Sequence, residues 1–495
     1  MKIKISLILL LTLSLPVFGM TEKDFLVVCD SVGGVLTLDP HKQFSGKNHI
    51  ICQQIFEGLL RFNPDGKIEP ALATSWKRID DLRVRFNLRK GVKFHNGETF
   101  DAKAVKFSIE RYFKPEINFP ALGFIKPMTH AEIINNYTVD IITSRPDGLL
   151  LNRLAAFVLI IPPKYLKEMG DEHFAKNPVG TGAFKFGKWI KGEKVVLPSN
   201  ENYWMKGYPK VKGLAFVFLH PEKRLKPLLE GKIHLVTNFP GTQTSFIRKN
   251  PKTDIIKKPT FRTLTFSFDV SSKYLSNLKV RKALNYAINK RDLIRYDLMG
   301  NGKRIATLSM PGEAGHNPNL KPYEYNVSRA KKLLTEAGYP KGFSISVATK
   351  KTAIRSAKII ASQLKKIGVK LDIVLLPMTT LMTSAKSGEY DMQLGDIPDP
   401  MCHNYFIQYL KFYHKSPFSM WKDPVFGRMI MDMASTIDEK LRDEKAKTLD
   451  TYIYENALSI FTYQKMSVIA KRKNVEFEPY VSGMPYFFSA YLKKE

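Results

Sequence analysis

The chain has 495 residues, and at about 100–200 residues per domain this length predicts more than one domain. Hydrophobic residues make up 44% and charged residues 25% of the sequence, which excludes a disordered chain, a collagen-like fibre and a polytopic membrane protein. The 77 Lys and Arg against 46 Asp and Glu give a formal net charge of +31, so the protein either meets anionic surroundings or shares a basic bias of its proteome.

Residues 1–19 have the three zones of a cleavable secretion signal. Lys2 and Lys4 form a positive start, residues 5–15 are mostly apolar, and small residues follow Pro16. The apolar run is shorter than the roughly 20 residues of a membrane span. We therefore expect a periplasmic protein released from its signal peptide rather than an anchored one.

Strand and helix patterns alternate after the signal. Residues 25–30 form an apolar run typical of a strand, and residues 47–60 have helical spacing. Residues 83–88 alternate polar and apolar side chains, which predicts a half-buried strand, and a helix is expected to begin near residue 101 and to end near Tyr112. Cys29 and Cys52 fall within the first two of these elements, so we expect buried thiols, although one pair among the three cysteines remains able to bridge.

The second half of the chain shows the same alternation more regularly. Residues 261–268 form a strict period-two strand, and a helix with apolar positions follows at 280–288. A further helix is predicted over 328–337, with Ser328 as its N-cap. The next segments predict a βαβαβ run covered by helices, in the order 343–348, 352–367, 369–375, 378–387 and 390–394.

Motifs for catalysis are missing from the sequence. It contains no Gly-x-Ser-x-Gly elbow, no phosphate-binding Walker loop and no His-Glu-x-x-His zinc motif. Asp396, Asp399, Cys402 and His403 include metal-ligating types, but their spacing matches no common metal motif. The basic residues are spread along the chain, which disfavours nucleic-acid binding. We therefore expect no enzyme activity, no cofactor and no metal.

Several motifs, in order along nearly the whole mature chain, resemble one family. They are Glu-Pro-Ala-Leu-Ala-Thr-Ser-Trp at 69–76, Phe-Asn-Leu-Arg-Lys-Gly-Val-Lys-Phe-His-Asn-Gly-Glu-Thr-Phe-Asp-Ala at 86–102, Asn-Pro-Val-Gly-Thr-Gly-Ala-Phe at 177–184, Asn-Tyr-Trp at 202–204, Val-Arg-Lys-Ala-Leu-Asn-Tyr-Ala-Ile at 280–288 and the segment 330–339. The pattern is similar to that of the family 5 extracellular solute-binding proteins, which are receptors of ABC importers for oligopeptides and dipeptides, with nickel- and haem-binding relatives.

The resemblance implies a two-lobed α/β fold of the class II periplasmic binding protein type, with an extra subdomain in the first lobe. Ligand would be enclosed between the lobes by hinge closure, and the closed form would dock on an ABC permease. On this basis we predict lobe I over 20–262, lobe II over 263–465, and a C-terminal return to lobe I over 466–495. We expect a monomer.

The resemblance also implies where the ligand binds. Gly-Asp-Ile-Pro-Asp-Pro at 395–400 resembles the family's Asp-x-x-Asp-Pro loop, whose first Asp receives a peptide's α-amino group, so Asp396 is the principal candidate. Asp399 is a weaker candidate, since an Asp before Pro also orders turns. The stretch before Asp396 is about four residues shorter than usual in the family and lacks its Trp.

Further candidate ligand contacts are less specific. Lys350 and Arg355 are candidates for the ligand carboxylate in lobe II, and Ser31, Gly33 and Gly34 are expected to border the cleft in lobe I. Alternatives remain open: a non-peptide ligand such as a metal chelate or haem, a basic protein acting on anionic membrane surfaces, or a metal-assisted hydrolase at Asp396 to His403. The charge favours an anionic ligand only if it lines the cleft.

Overall fold

The computed structural model describes residues 24–30 and 34–493, over which strands and helices alternate. The elements up to residue 143 are β1 (Leu26–Asp30), α1 (Gly46–Ile55), β2 (Leu60–Phe62), β3 (Ile68–Pro70), β4 (Ala73–Asp80), β5 (Arg83–Leu88), α2 (Ala102–Tyr112), α3 (Leu122–Ile125), β6 (Met128–Asn135) and β7 (Thr138–Thr143). Those up to residue 268 are α4 (Leu150–Phe157), α5 (Pro163–Lys176), β8 (Lys188–Ile190), β9 (Lys194–Pro198), β10 (Gly213–Phe218), α6 (Leu225–Leu229), β11 (Leu235–Val236), α7 (Thr244–Lys249) and β12 (Thr253–Phe268). Those up to residue 398 are α8 (Leu278–Ala287), α9 (Lys290–Leu298), β13 (Gly302–Arg304), α10 (Val327–Glu336), β14 (Phe343–Thr349), α11 (Ile354–Leu364), β15 (Val369–Leu375), α12 (Met378–Thr383) and β16 (Met392–Pro398). The last are α13 (Tyr405–Phe412), α14 (Pro424–Ser435), α15 (Glu439–Glu455), β17 (Tyr463–Arg472), β18 (Val475–Glu476) and β19 (Tyr491–Leu492).

One long mixed sheet organises the described part of the chain. Its strand order is β15-β14-β16-β12-β17-β11-β1-β10-β9-β8, with β13 paired to β17. β14 pairs in parallel with both β15 and β16, and β1 pairs in parallel with both β10 and β11. Between these two groups, β12 and β17 run antiparallel to each other. A separate four-stranded sheet, β4-β5-β7-β6, is formed by the first half of the chain.

The two groups of parallel strands point toward each other along β12 and β17. Val236 at the end of β11 pairs with Ala470 of β17, which in turn pairs with Ile255 of β12. Pro398 at the end of β16 pairs with Arg262, about seven residues further along β12. Since an extended chain rises about 3.3 Å per residue, the two sets of carboxyl ends face each other across roughly 20 Å.

The core is divided in the same way as the sheet. One apolar cluster surrounds β1, β9 and β10 and includes the C-terminal segment up to Ala490. Another surrounds β12, β14 and β16 with the helices α8, α10 and α11. A third joins the four-stranded sheet to α13, α14 and α15, and in it the tilted rings of Phe124 and Phe406 pack with centroids 4.4 Å apart. Apolar burial therefore links the two halves of the chain as well as holding each together.

Two sequence predictions about helix ends are wrong, and the contacts explain why. The helix predicted over 47–60 ends at Ile55, because the extended backbone beyond it is bound by other segments: Gly182 N–H donates to the Ile55 carbonyl at 2.8 Å, and Ile160 N–H to the Glu57 carbonyl at 2.9 Å. The helix predicted to be capped by Ser328 begins one residue earlier, at Val327, with a different cap. The Asn326 side chain accepts a hydrogen bond from the Arg329 N–H at 2.8 Å.

The motifs at 180–182 and 203–204 meet at one buried carboxyl group. Glu57 accepts hydrogen bonds from the Thr181 hydroxyl at 3.0 Å, the Tyr203 hydroxyl at 2.6 Å and the Trp204 indole N–H at 2.9 Å. A Cβ on Gly180 would stand 2.0 Å from the Ile55 carbonyl oxygen, so only glycine fits there. These motifs therefore fix the segment after α1.

Among the described residues, no helix is both long enough and apolar enough to cross a membrane. The three cysteines, Cys29, Cys52 and Cys402, are free and buried. The predicted signal at 1–19 lies outside the described residues.

Candidate ligand-binding cleft

The candidate site lies where the two sets of carboxyl ends face each other. In open α/β sheets, ligands bind outside the carboxyl ends of the strands, where loops rather than strand edges meet the solvent. Here β16 and the residues that follow β14 lie beside the middle of β12, and β1 and β11 end on the opposite side of it. A ligand held at this level contacts both halves of the chain at once.

Asp396 lies at this level but not in the loop predicted for it. It belongs to β16 and pairs with Leu264, because β16 continues alongside β12 as far as Pro398 instead of ending at the predicted residue 394. The Arg262 Nε donates to Asp396 Oδ1 at 2.8 Å, and the Lys465 Nζ lies 3.4 Å from Oδ2. Burial raises the pKa of Asp396, but the attraction of these two cations outweighs it, so the net shift is downward. The carboxyl group is therefore held ionised in the cleft.

Lys350 follows β14 directly and belongs to the same group of charges. Its pKa is lowered, first by burial and then by the cations Arg262, Lys465 and Lys47, against the opposing attraction of Asp396. Among the described residues, none makes a hydrogen bond or an ion pair with its ammonium group. The structure thus brings Asp396 and Lys350 into one group of charges, whereas the sequence analysis assigned them to different groups of the ligand; their roles at the ligand stay predictions.

Arg262 and Lys465, which contact Asp396 directly, were not singled out by sequence. Arg262 lies in the alternating strand β12 and Lys465 in β17, where a basic side chain looks like an ordinary solvent-facing position. Only the pairing of β12 with both β16 and β17 brings them to Asp396. Arg355 lies exposed in the first turn of α11, and none of the ion pairs at Asp396 includes it.

Asp399 is not a cleft residue of the same kind, since its side chain is fully buried. Its Oδ1 accepts the Met401 N–H at 2.6 Å, and the carboxyl group of Glu313 lies close enough to shift its pKa. Burial raises the pKa of Asp399 to about 7, and burial and then Asp399 hold the pKa of Glu313 well above its usual range. Asp399 Oδ2 and Glu313 Oε1 have no hydrogen-bond donor among the described residues, so both groups are favoured in their protonated forms.

The remaining predicted contacts lie around the end of β1. Ser31 and Gly33 lie outside the described residues. Gly34 has a φ of 55°, and a Cβ there would stand 2.9 Å from the Phe218 ring. Glycine therefore allows the backbone at this position to approach Phe218 of β10 closely. Its role at the ligand stays a prediction.

A small cavity opens next to the loop that follows β16. It occupies about 280 Å³, including space open to solvent, between α1, α4, that loop and the C-terminal segment. Its lining residues are His49, Gln53, Phe62, Ala155, Ala156, Pro400, Ser482, Met484 and Tyr486. The lining is mixed in polarity, and the cavity is smaller than the roughly 300–1,000 Å³ typical of ligand pockets.

The alternative of a metal-assisted hydrolase gains no support from this geometry. Asp396 faces Arg262 and Lys465, Asp399 faces Glu313, and His403 Nδ1 accepts the Tyr405 N–H at 3.1 Å. Within residues 24–30 and 34–493 no three His, Cys, Asp or Glu side chains are grouped so as to hold a metal ion.

Comparison with known protein families gives one match. The sequence model described as "Bacterial extracellular solute-binding proteins, family 5 Middle" matches residues 67–415. Among curated proteins, the chain is 29% identical over 364 residues to the glutathione-binding protein GsiB of Salmonella paratyphi A, covering 72% of this chain and 70% of that protein. It is 30% identical over 353 residues to GsiB of Pectobacterium atrosepticum, covering 70% of this chain and 68% of that protein.

Solved structures show the same fold over almost the full length. The periplasmic binding protein DppA of Helicobacter pylori, in complex with the peptide STSA, superposes with a TM-score of 0.82 at 27% identity, covering 95% of this chain and 98% of that one. HbpA2 of Haemophilus parasuis superposes with a TM-score of 0.83 at 24% identity, covering 95% of this chain and 100% of that one. These likenesses confirm the two-lobed α/β fold expected from the sequence.

Proposed function

The chain belongs to the bacterial extracellular solute-binding proteins of family 5, and from this premise we propose that it captures a short peptide or peptide-like solute in the periplasm and delivers it to an ABC permease. The proteins of this family bind solutes for transport, and the family is not one of enzymes. The ligand class rests on the relatives, one of which is named for glutathione and another of which holds a four-residue peptide.

The observation that carries the proposal is the position of Asp396. It lies between the two facing sets of carboxyl ends, it is ionised, and its side chain is still 22% exposed. Each carboxylate oxygen has one cation partner and a second lone pair. A ligand ammonium group binding there forms a charge-assisted hydrogen bond worth about 1.5–3 kcal/mol.

Closure of the lobes follows from the same placement. A ligand can shift a hinge equilibrium only by binding one state better than the other. A peptide bound to Asp396 of β16 can extend to α1 and the loop after β1. It contacts both halves of the chain only in the closed form. The pairing of β17 supports this arrangement, because this one strand is bonded both to β11 and to β12 and β13.

Isothermal titration calorimetry with glutathione and with the tetrapeptide STSA tests the proposal. We expect micromolar or tighter binding of at least one, and a loss of about tenfold or more in Asp396→Asn, which corresponds to about 1.4 kcal/mol. The matched control is Asp372→Asn, an exposed carboxylate on β15 that pairs with Lys370 and should leave the affinity unchanged. Equal affinity in both variants contradicts the role of Asp396, and no binding of any short peptide contradicts the ligand class.

A further inference from the structure

The cleft holds more positive than negative charge around Asp396. Three cations surround this one carboxylate: Arg262 and Lys465 by direct contact, and Lys350 by its electrostatic attraction. The Arg262 and Lys465 side chains are only 37% and 34% exposed. Such partly buried charges are screened less by salt than surface charges, so their excess is felt at the site.

Cations of this group come from different parts of the fold. Arg262 and Lys465 lie on the crossing strands β12 and β17, and Lys350 follows β14 in the second half. Lys47, in the first turn of α1 in the first half, also acts on Lys350. An anionic group placed beside Lys350 and Arg262 is therefore attracted by cations that belong to several elements of the fold.

Lys350 is the cation of this group that the Asp396 carboxylate does not contact directly. Its neighbour Thr349 donates a hydrogen bond to the Leu394 carbonyl of β16 at 3.0 Å, two residues before Asp396, which places Lys350 next to this site. Among the described residues, its ammonium group makes no hydrogen bond or ion pair. A half-buried ammonium group with this surplus around it is stabilised by any anion that binds beside it.

We propose that this cleft selects solutes that carry more anionic than cationic groups, with a ligand carboxylate seated beside Lys350 and Arg262. This rests on the proposed function for the peptide class and narrows it. A neutral peptide brings one ammonium and one carboxylate, and so leaves the surplus in place. An acidic peptide, with a second carboxylate, removes part of it, as does a dicarboxylate without an amino group.

The test compares matched ligands by titration calorimetry. The probes are Ala-Glu-Ala, its neutral counterpart Ala-Gln-Ala, and glutarate as a dicarboxylate without peptide bonds. The proteins are the wild type, Lys350→Met, which keeps most of the apolar stem, and Lys351→Met, an exposed neighbour as control. Far-UV circular dichroism checks that each variant is folded.

We expect Ala-Glu-Ala to bind about tenfold or more tightly than Ala-Gln-Ala to the wild type and to Lys351→Met, and this preference to fall to about threefold or less in Lys350→Met. Equal affinity for the two peptides in the wild type overturns the anionic selection but leaves the peptide function standing. Binding of glutarate alone, weakened in Lys350→Met, supports anionic selection and overturns the peptide class. Binding of none of the three probes overturns the anionic selection.

Discussion

The buried pair of Glu313 and Asp399 should make the stability of the protein depend on pH. Both groups have raised pKa values because burial penalises their ionised forms, and Asp399 titrates near 7. In the unfolded chain, carboxyl groups titrate near 4. The folded protein therefore binds more protons than the unfolded chain between these values. The contribution of Asp399 is fully present below about pH 4 and is lost as pH rises through about 7, and that of Glu313 is lost as pH rises through its own raised pKa.

Glu313→Gln removes the need to hold that proton. The amide fits the same space, still accepts the Met310 N–H and can donate to the free oxygen of Asp399. One proton more in the folded state changes the free energy of unfolding by about 1.4 kcal/mol per pH unit. Between pH 5 and pH 7 the variant should therefore gain about 2–3 kcal/mol relative to the wild type.

Urea unfolding at pH 5, 6 and 7 measures this difference. The exposed Glu444→Gln is the control, and its stability should stay within about 0.5 kcal/mol of the wild type at each pH. Other groups also titrate in this range, but they are common to all three proteins and cancel in the comparison. If the free energies of unfolding of Glu313→Gln and of the wild type change equally between pH 5 and pH 7, Glu313 does not hold an additional proton in the folded protein.

Two further variants test the packing of the first half of the chain. Arg111→Met should lower the free energy of unfolding, measured with urea, by about 3–5 kcal/mol. The reason is that the fully buried Asp39 loses hydrogen bonds of 3.0 and 2.6 Å to the guanidinium group. A loss below about 1 kcal/mol contradicts this. Gly180→Ala should lower the melting temperature strongly or abolish soluble protein, since its Cβ would overlap the Ile55 carbonyl oxygen, whereas Gly123→Ala, with open space around it, should not. Equal melting temperatures for the two glycine variants contradict the proposed close approach.

Local patterns in the sequence predicted the regular elements of the second half well. The strands β14, β15 and β16 and the helix between each pair occur in the predicted order, because alternating and helical apolar spacing is set by neighbours along the chain. The helix at 102–112 also matches closely, with Asp101 as a cap that accepts from Lys103 and Ala104 N–H. The family resemblance was correct as well, since it rested on motifs spread over the whole chain.

The errors came from contacts distant in sequence. Helix α1 is shorter than predicted, because β-like pairing with residues near 160 and 182 captures the backbone after Ile55. Asp396 lies in a strand rather than a loop, because β12 continues beside it. The cations Arg262 and Lys465 are separated from Asp396 by about 134 and 69 residues, so no local pattern could reveal their ion pairs. The lobe bounds, the monomeric state and the signal at 1–19 stay predictions.

Native mass spectrometry of the protein purified gently from periplasm tests most directly whether it captures a small solute. A binding protein of this kind should carry a bound mass in the range of a short peptide, released when the protein is unfolded. If the released molecule carries a net negative charge, it agrees with the excess of cations around Asp396. A protein that carries no small molecule, and that stays empty after incubation with glutathione and mixed short peptides, would contradict solute capture in this cleft.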